Sequence, residues 1–178
     1  MSTFSPRPLA TLTVLAFAAV AASAQGPGLG IPISDEELAA WDITVFPSGA
    51  NLPPGSGTVA EGEAIYAQQC AVCHGVNGEG VLAAPVVGGD PLTNGIDTRK
   101  TIKNFWASAT TLFDFTRRQM PLYTPRTLTD DQVYALTAFL LAWNDIIDED
   151  TVMNAETLMQ VEMPNRDGFR PRFPEMMP

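Results

Sequence analysis

The chain has 178 residues, enough for one domain with extensions and tight for two, so a single hydrophobic core is the starting expectation. Ten Lys and Arg stand against twenty Asp and Glu, a formal charge of −10. That balance argues against nucleic acid or an anionic membrane surface as a partner, because both repel a strongly acidic protein at short range.

Residues 1–24 read as a signal peptide. Arg7 supplies a positive charge, residues 9–22 are almost unbroken apolar, and Ala22-Ser23-Ala24 is a small-residue cleavage pattern. The run is shorter than the roughly 20 apolar residues of a spanning helix. Export to the periplasm with cleavage after Ala24 is therefore expected, with no membrane attachment afterwards. Cleavage removes Arg7 and no acid, leaving nine basic against twenty acidic side chains, −11. A basic protein surface is the partner that this charge favours, although the same charge also keeps an exported protein soluble.

Residues 25–57 form an N-terminal extension rich in Gly and Pro, irregular except where Ser34 and Glu37 have capping-box spacing before Leu38 and Trp41. One short helix is expected there. Thr58 and Glu61 form a second capping box and predict a helix over 59–72, with Gly62 and Tyr66 on one face. Glycine inside a helix costs about 1 kcal/mol relative to Ala, which a close crossing by another helix would justify. Residues 74–97 read as a loop. A helical stretch over 98–119 carries a break near 108–111, and Pro121 stops it. Thr129 and Gln132 make a third capping box, and Val133, Leu136, Leu140, Trp143 and Ile147 form one apolar stripe, predicting a helix that ends near Asp148. The tail over 149–178 has no sustained period, and no segment shows strand alternation. The expected fold class is all-α, a helical domain over 58–148 between two extensions.

Cys70-Ala71-Val72-Cys73-His74 is the C-x-x-C-H signature of covalent haem attachment, and His74 is the sole histidine. Two thiols three positions apart can add to the two vinyl groups of one haem edge, and the next residue can bring its imidazole to the iron. Zinc is disfavoured, since a structural site needs four ligands and the chain has three Cys and His in total. A thioredoxin-like pair belongs at a strand-to-helix turn, whereas these cysteines end a helix. A plain disulfide would leave the adjacent His unexplained. Of seven Met residues, Met120 is best placed as second axial ligand: it follows a helix and precedes Pro121 at a turn. Methionine–histidine ligation leaves no open coordination site, so single-electron transfer is the expected function, with no catalytic residue in this chain.

From these residues the segment over 58–148 resembles a class I cytochrome c with one covalent haem. The resemblance implies that Gly62 and Tyr66 cross the terminal helix at Tyr134 and Ala138, and that Pro85 supplies the carbonyl that accepts the imidazole N–H. Haem propionate contacts stay open, with Trp106, Arg99 and Arg126 as candidates. Outside the haem motif, Glu36 to Ile43, Leu52 to Gly57, Asn104-Phe105-Trp106 with Thr111 to Asp114, and Met163 to Phe169 resemble the SoxD-like cytochromes. That narrower resemblance implies a partner subunit of the sulfite oxidase family carrying a molybdenum cofactor, sulfite or sulfane sulfur as its substrate, and a downstream cytochrome as acceptor. Some members of that group carry a second haem domain, and this sequence has one C-x-x-C-H. A freely diffusing periplasmic carrier is the alternative, with Asp145, Asp148, Glu149 and Asp150 as its docking patch. The extensions, with Trp41, Phe46, Phe169 and Phe173 to bury, serve either a partner or the domain's own surface.

Overall fold

The computed structural model describes residues 29–92, 98–170 and 173. The expected signal peptide lies outside them. Each of the three capping boxes read from the sequence starts a helix: Ser34 caps α1 (Asp35–Trp41), Thr58 caps α2 (Val59–Gln69) and Thr129 caps α6 (Asp130–Ala142). Between the last two lie α3 (Ala71–His74), α4 (Ile102–Phe105) and α5 (Ala109–Gln119). The expected stretch over 98–119 thus splits earlier than predicted, at Trp106, whose extended backbone ends α4.

The crossing of α2 over α6 organises the core. Gly62 is buried there, and a Cβ in its place would overlap the carbonyl oxygen of Ala135 and meet Phe139 Cβ at 2.7 Å. The contact falls one position later than the expected Tyr134 and Ala138. Tyr134 faces the other way, its ring 4.5 Å from Phe113 and its hydroxyl donating to the Pro53 carbonyl at 2.8 Å. Tyr66 continues the crossing, packed on Phe139 and edge-on to Trp143.

α6 stops at Ala142 and not near Asp148. Asp145 takes a left-handed φ of 55°, and the Asp145 and Ile146 N–H groups turn back to the carbonyls of Ala142 and Leu141. This is the arrangement that ends helices through a left-handed residue. The acidic run after Asp145 therefore lies beyond the helix, and Asp145 itself pairs with Lys103 at 3.1 Å.

Strands also appear where none was expected. β1 (Ser56–Thr58) pairs antiparallel with β2 (Val152–Asn154) in the register Ser56 to Asn154, Gly57 to Met153 and Thr58 to Val152. Three residues are too few to display an alternating pattern. β2 leads into α7 (Ala155–Met159), capped by Asn154. Among the described residues the protein thus has seven helices and this one small sheet. Met153, Leu158 and Met163 of the tail are fully buried with Phe113, Val133 and Leu141.

Candidate functional site

The N–H of Cys70 closes the last turn of α2 on the Tyr66 carbonyl at 2.9 Å. Its own carbonyl then accepts from the N–H groups of Cys73, at 3.1 Å, and His74, at 3.0 Å. Residues three and four apart on a helical turn share a face, so the turn brings Cys70, Cys73 and His74 to one side. Both cysteines are unpaired thiols and half-buried, so the disulfide alternative does not describe this structure. Burial pushes the Cys70 thiol up to about 11, with Cys73 adding to the shift. A thioredoxin-like pair needs the opposite, a thiol driven toward thiolate.

Gly75 ends the turn at φ 89°, where a side chain would run into the Glu79 carboxylate. The Tyr66 hydroxyl donates to the Gly75 carbonyl at 2.8 Å, so α2 holds the exit of the motif. The loop then folds back over it. The N–H of Gly80 donates to the His74 carbonyl at 2.7 Å, and those of Val81, Leu82 and Ala83 converge on the Cys73 carbonyl.

His74 Nδ1 lies 2.7 Å from the carbonyl oxygen of Ala84. A carbonyl can only accept, so Nδ1 carries the proton and Nε2 keeps its lone pair for an iron. The accepting carbonyl had been expected from Pro85; it comes from the residue before. The run of loop amides that fold onto the motif ends at Ala83, and the next residue offers its carbonyl to the imidazole.

Met120 sits at the C-cap of α5 with extended backbone, its N–H held by the Thr116 carbonyl at 3.2 Å, and it is half-buried. Pro121 then opens a turn in which the Thr124 N–H returns to the Pro121 carbonyl at 2.9 Å. The loops after His74 and after Met120 expose Val81, Leu82, Leu122 and Tyr123. The donor set of two free thiols, one imidazole with a fixed tautomer and one thioether, with apolar loops beside it, fits a covalent haem. Of the propionate candidates, Arg99 donates to the Glu79 carbonyl, Arg126 to the Ala40 carbonyl at 3.3 Å, and Trp106 packs between Phe105 and Phe115.

One residue that holds the site was missed. Asn144 is fully buried, its amide donating to the carbonyls of Val86 and Leu140 and its oxygen accepting the Gly88 N–H at 3.0 Å. It ties the end of α6 to the loop that carries Ala84. Its position four after Leu140, on the apolar stripe, was the available signal.

The cytochrome c family model matches residues 59–143. A chain of the sulfane dehydrogenase SoxCD from Paracoccus pantotrophus superposes with a TM-score of 0.76 at 40% identity, over 85% of this chain and 75% of that one. The chain belongs to the cytochrome c family. It is an electron-carrying cytochrome, and the family binds haem c covalently. A thiosulfate dehydrogenase from Stutzerimonas stutzeri (strain A1501) is 29% identical over 116 residues, 56% of this cytochrome. The cytochrome spans only about a third of that relative's length, 35%.

Two of the motifs that carried the narrower resemblance, around Phe105 and Asn165, meet in space. Asn165 of the tail donates to the Phe105 carbonyl at 2.8 Å, and the rings of Phe169 and Phe105 stand edge to face at 5.4 Å. The Val45 N–H, just past Ile43, donates to the Asp114 carboxylate at 2.8 Å.

Proposed function

We propose that this cytochrome is the monohaem electron-transfer subunit of a periplasmic molybdenum-containing sulfite or sulfane dehydrogenase. Cys70 and Cys73 would hold the haem through thioether bonds, and His74 Nε2 and the Met120 sulfur would ligate its iron. The haem supplies one-electron redox chemistry. The protein's part is to fix the imidazole through Ala84, to keep the thioether-forming turn closed through Tyr66 and Gly75, and to exclude water with the loops that fold over the motif. Held by His74 and Met120 from the chain itself, the iron would have no place for a substrate, which leaves electron transfer as its chemistry. The partner subunit would give up electrons one at a time, and a second cytochrome would accept them.

The observation that carries this reading is the 40% identity to the sulfane dehydrogenase chain over 85% of this cytochrome, extensions included. The test is the molybdenum to haem-iron ratio of the cytochrome purified gently from its native periplasm. Comparable amounts of both metals in one species are expected. Haem iron without molybdenum would instead identify a freely diffusing carrier.

A further inference from the structure

A helix as short as α1 is marginal in water unless packing holds it. None of its residues is buried. Leu38 and Trp41 are 49% and 76% exposed, and Ile31 and Ile33 just before it are 91% and 61% exposed. Four large apolar side chains within so short a segment form a patch of the kind that marks an interaction site.

The root of this arm is fixed. Val45 is buried with its N–H on the Asp114 carboxylate at 2.8 Å, and the Arg117 guanidinium donates to the Ile43 carbonyl at 3.0 Å. Arg126 donates to the Ala40 carbonyl, which ties the arm to the turn after Met120. That turn exposes Leu122 at 66% and Tyr123 at 89%. The arm's apolar groups and those beside Met120 are thus joined through one hydrogen bond.

Charge selects the occupant. Asp35, Glu36, Glu37 and Asp42 border the arm's apolar groups, against the single basic side chain of Arg126 on the Ala40 carbonyl, so acid outnumbers base on this face. A second copy in a twofold contact would bring the same carboxylates against each other, which is unfavourable. We infer that the arm over 31–42 and the turn over 121–126 form one docking face for the molybdenum-containing partner, which presents an apolar patch bordered by Lys or Arg. This rests on the proposed function above, and it places electron entry on the Met120 side of the cytochrome.

The experiment compares the haem-loaded full chain with its Leu38→Ala/Trp41→Ala variant, both expressed in the native host and purified gently, with metal analysis and a thermal melt of each. Loss of a buried Trp anchor weakens an interface by at least about tenfold. Molybdenum should therefore co-purify with the wild type and fall at least about tenfold for the variant, with the melting midpoint of the isolated cytochrome unchanged. Equal molybdenum in both samples would overturn the docking face and leave the proposed function standing. A lowered midpoint would also overturn it, by showing that the chain itself covers these side chains. Molybdenum in neither sample would overturn the proposed function, and the docking face with it.

Discussion

The two extensions of this cytochrome begin alike and end differently. Each carries a short helix opened by a capping box, Ser34 with Glu37 in α1 and Asn154 with Thr157 in α7. The C-terminal one is absorbed into the core: β2 pairs with β1, and Met153, Leu158 and Met163 keep almost no exposure. The N-terminal one is anchored from Ile43 onward, through Arg117, Val45, Pro53 and β1, while its helix buries nothing and is tied by the single bond from Arg126 to the Ala40 carbonyl. A capping box decides where a helix starts. Whether that helix contributes to stability depends on what its side faces cover.

The comparison breaks most readily at the buried methionines. Met153→Ala or Met163→Ala, in the haem-loaded protein, should each cost about 2–5 kcal/mol of unfolding free energy, read from denaturant midpoints. Truncation of Leu38 in the arm should leave the same midpoint unchanged within about 0.5 kcal/mol. If the tail truncations proved as silent as the arm's, the tail would be an appendage and the contrast would vanish.

The helix crossing offers a smaller effect and a sharper one. An alanine at position 62 gains about 1 kcal/mol of helix propensity. Against that, its Cβ would overlap the Ala135 carbonyl, and forced shifts of this kind cost about 1–3 kcal/mol. Gly62→Ala should therefore be destabilising by up to about 2 kcal/mol on denaturant unfolding. A stabilised variant would mean that α2 can move away from α6 freely.

Much of this arrangement was legible before the structure, and for local reasons. Capping boxes act over three residues, so Ser34, Thr58 and Thr129 could be read one at a time. The spacing of Cys70, Cys73 and His74 is likewise set within one helical turn. What was misread depends on long-range geometry. Which residues of α6 meet Gly62 is a matter of rotation about the helix axis, and the ring of Tyr134 is claimed by Phe113 instead. The imidazole's partner shifted from Pro85 to Ala84 because one peptide plane, and not a residue type, makes the bond. The β1–β2 ladder joins segments far apart in sequence and is too short to leave a pattern. Asn144 was overlooked because a buried Asn inside an apolar stripe shows its use only once the loop it binds is in place. Trp41, Phe46, Phe169 and Phe173, which were read as available to bury against either a partner or the domain itself, all keep half or more of their surface exposed on the cytochrome alone.

The smallest expected effect compares the same capping box in the two settings. Glu37 accepts the Ser34 N–H at 2.8 Å, and Glu61 accepts the Thr58 N–H at 2.8 Å; each returns a bond to the hydroxyl from its own N–H. In both, the backbone bond first and the hydroxyl second hold the carboxyl below its ordinary value. A carboxyl whose folded value is depressed adds stability above its unfolded value, about 4.3, and loses it as pH falls through the folded one. Glu61→Gln removes the charge that makes this pH-dependent. That variant should unfold at a lower denaturant concentration than wild type at pH 7, and the gap should narrow once pH drops below about 4. Glu37→Gln should match wild type in global unfolding at every pH, because α1 can fray without exposing the core. Its effect should appear only as faster amide exchange within α1. A Glu37→Gln midpoint lowered as far as that of Glu61→Gln would show that the arm unfolds with the core, and the contrast between the two extensions would then lie in exposure alone.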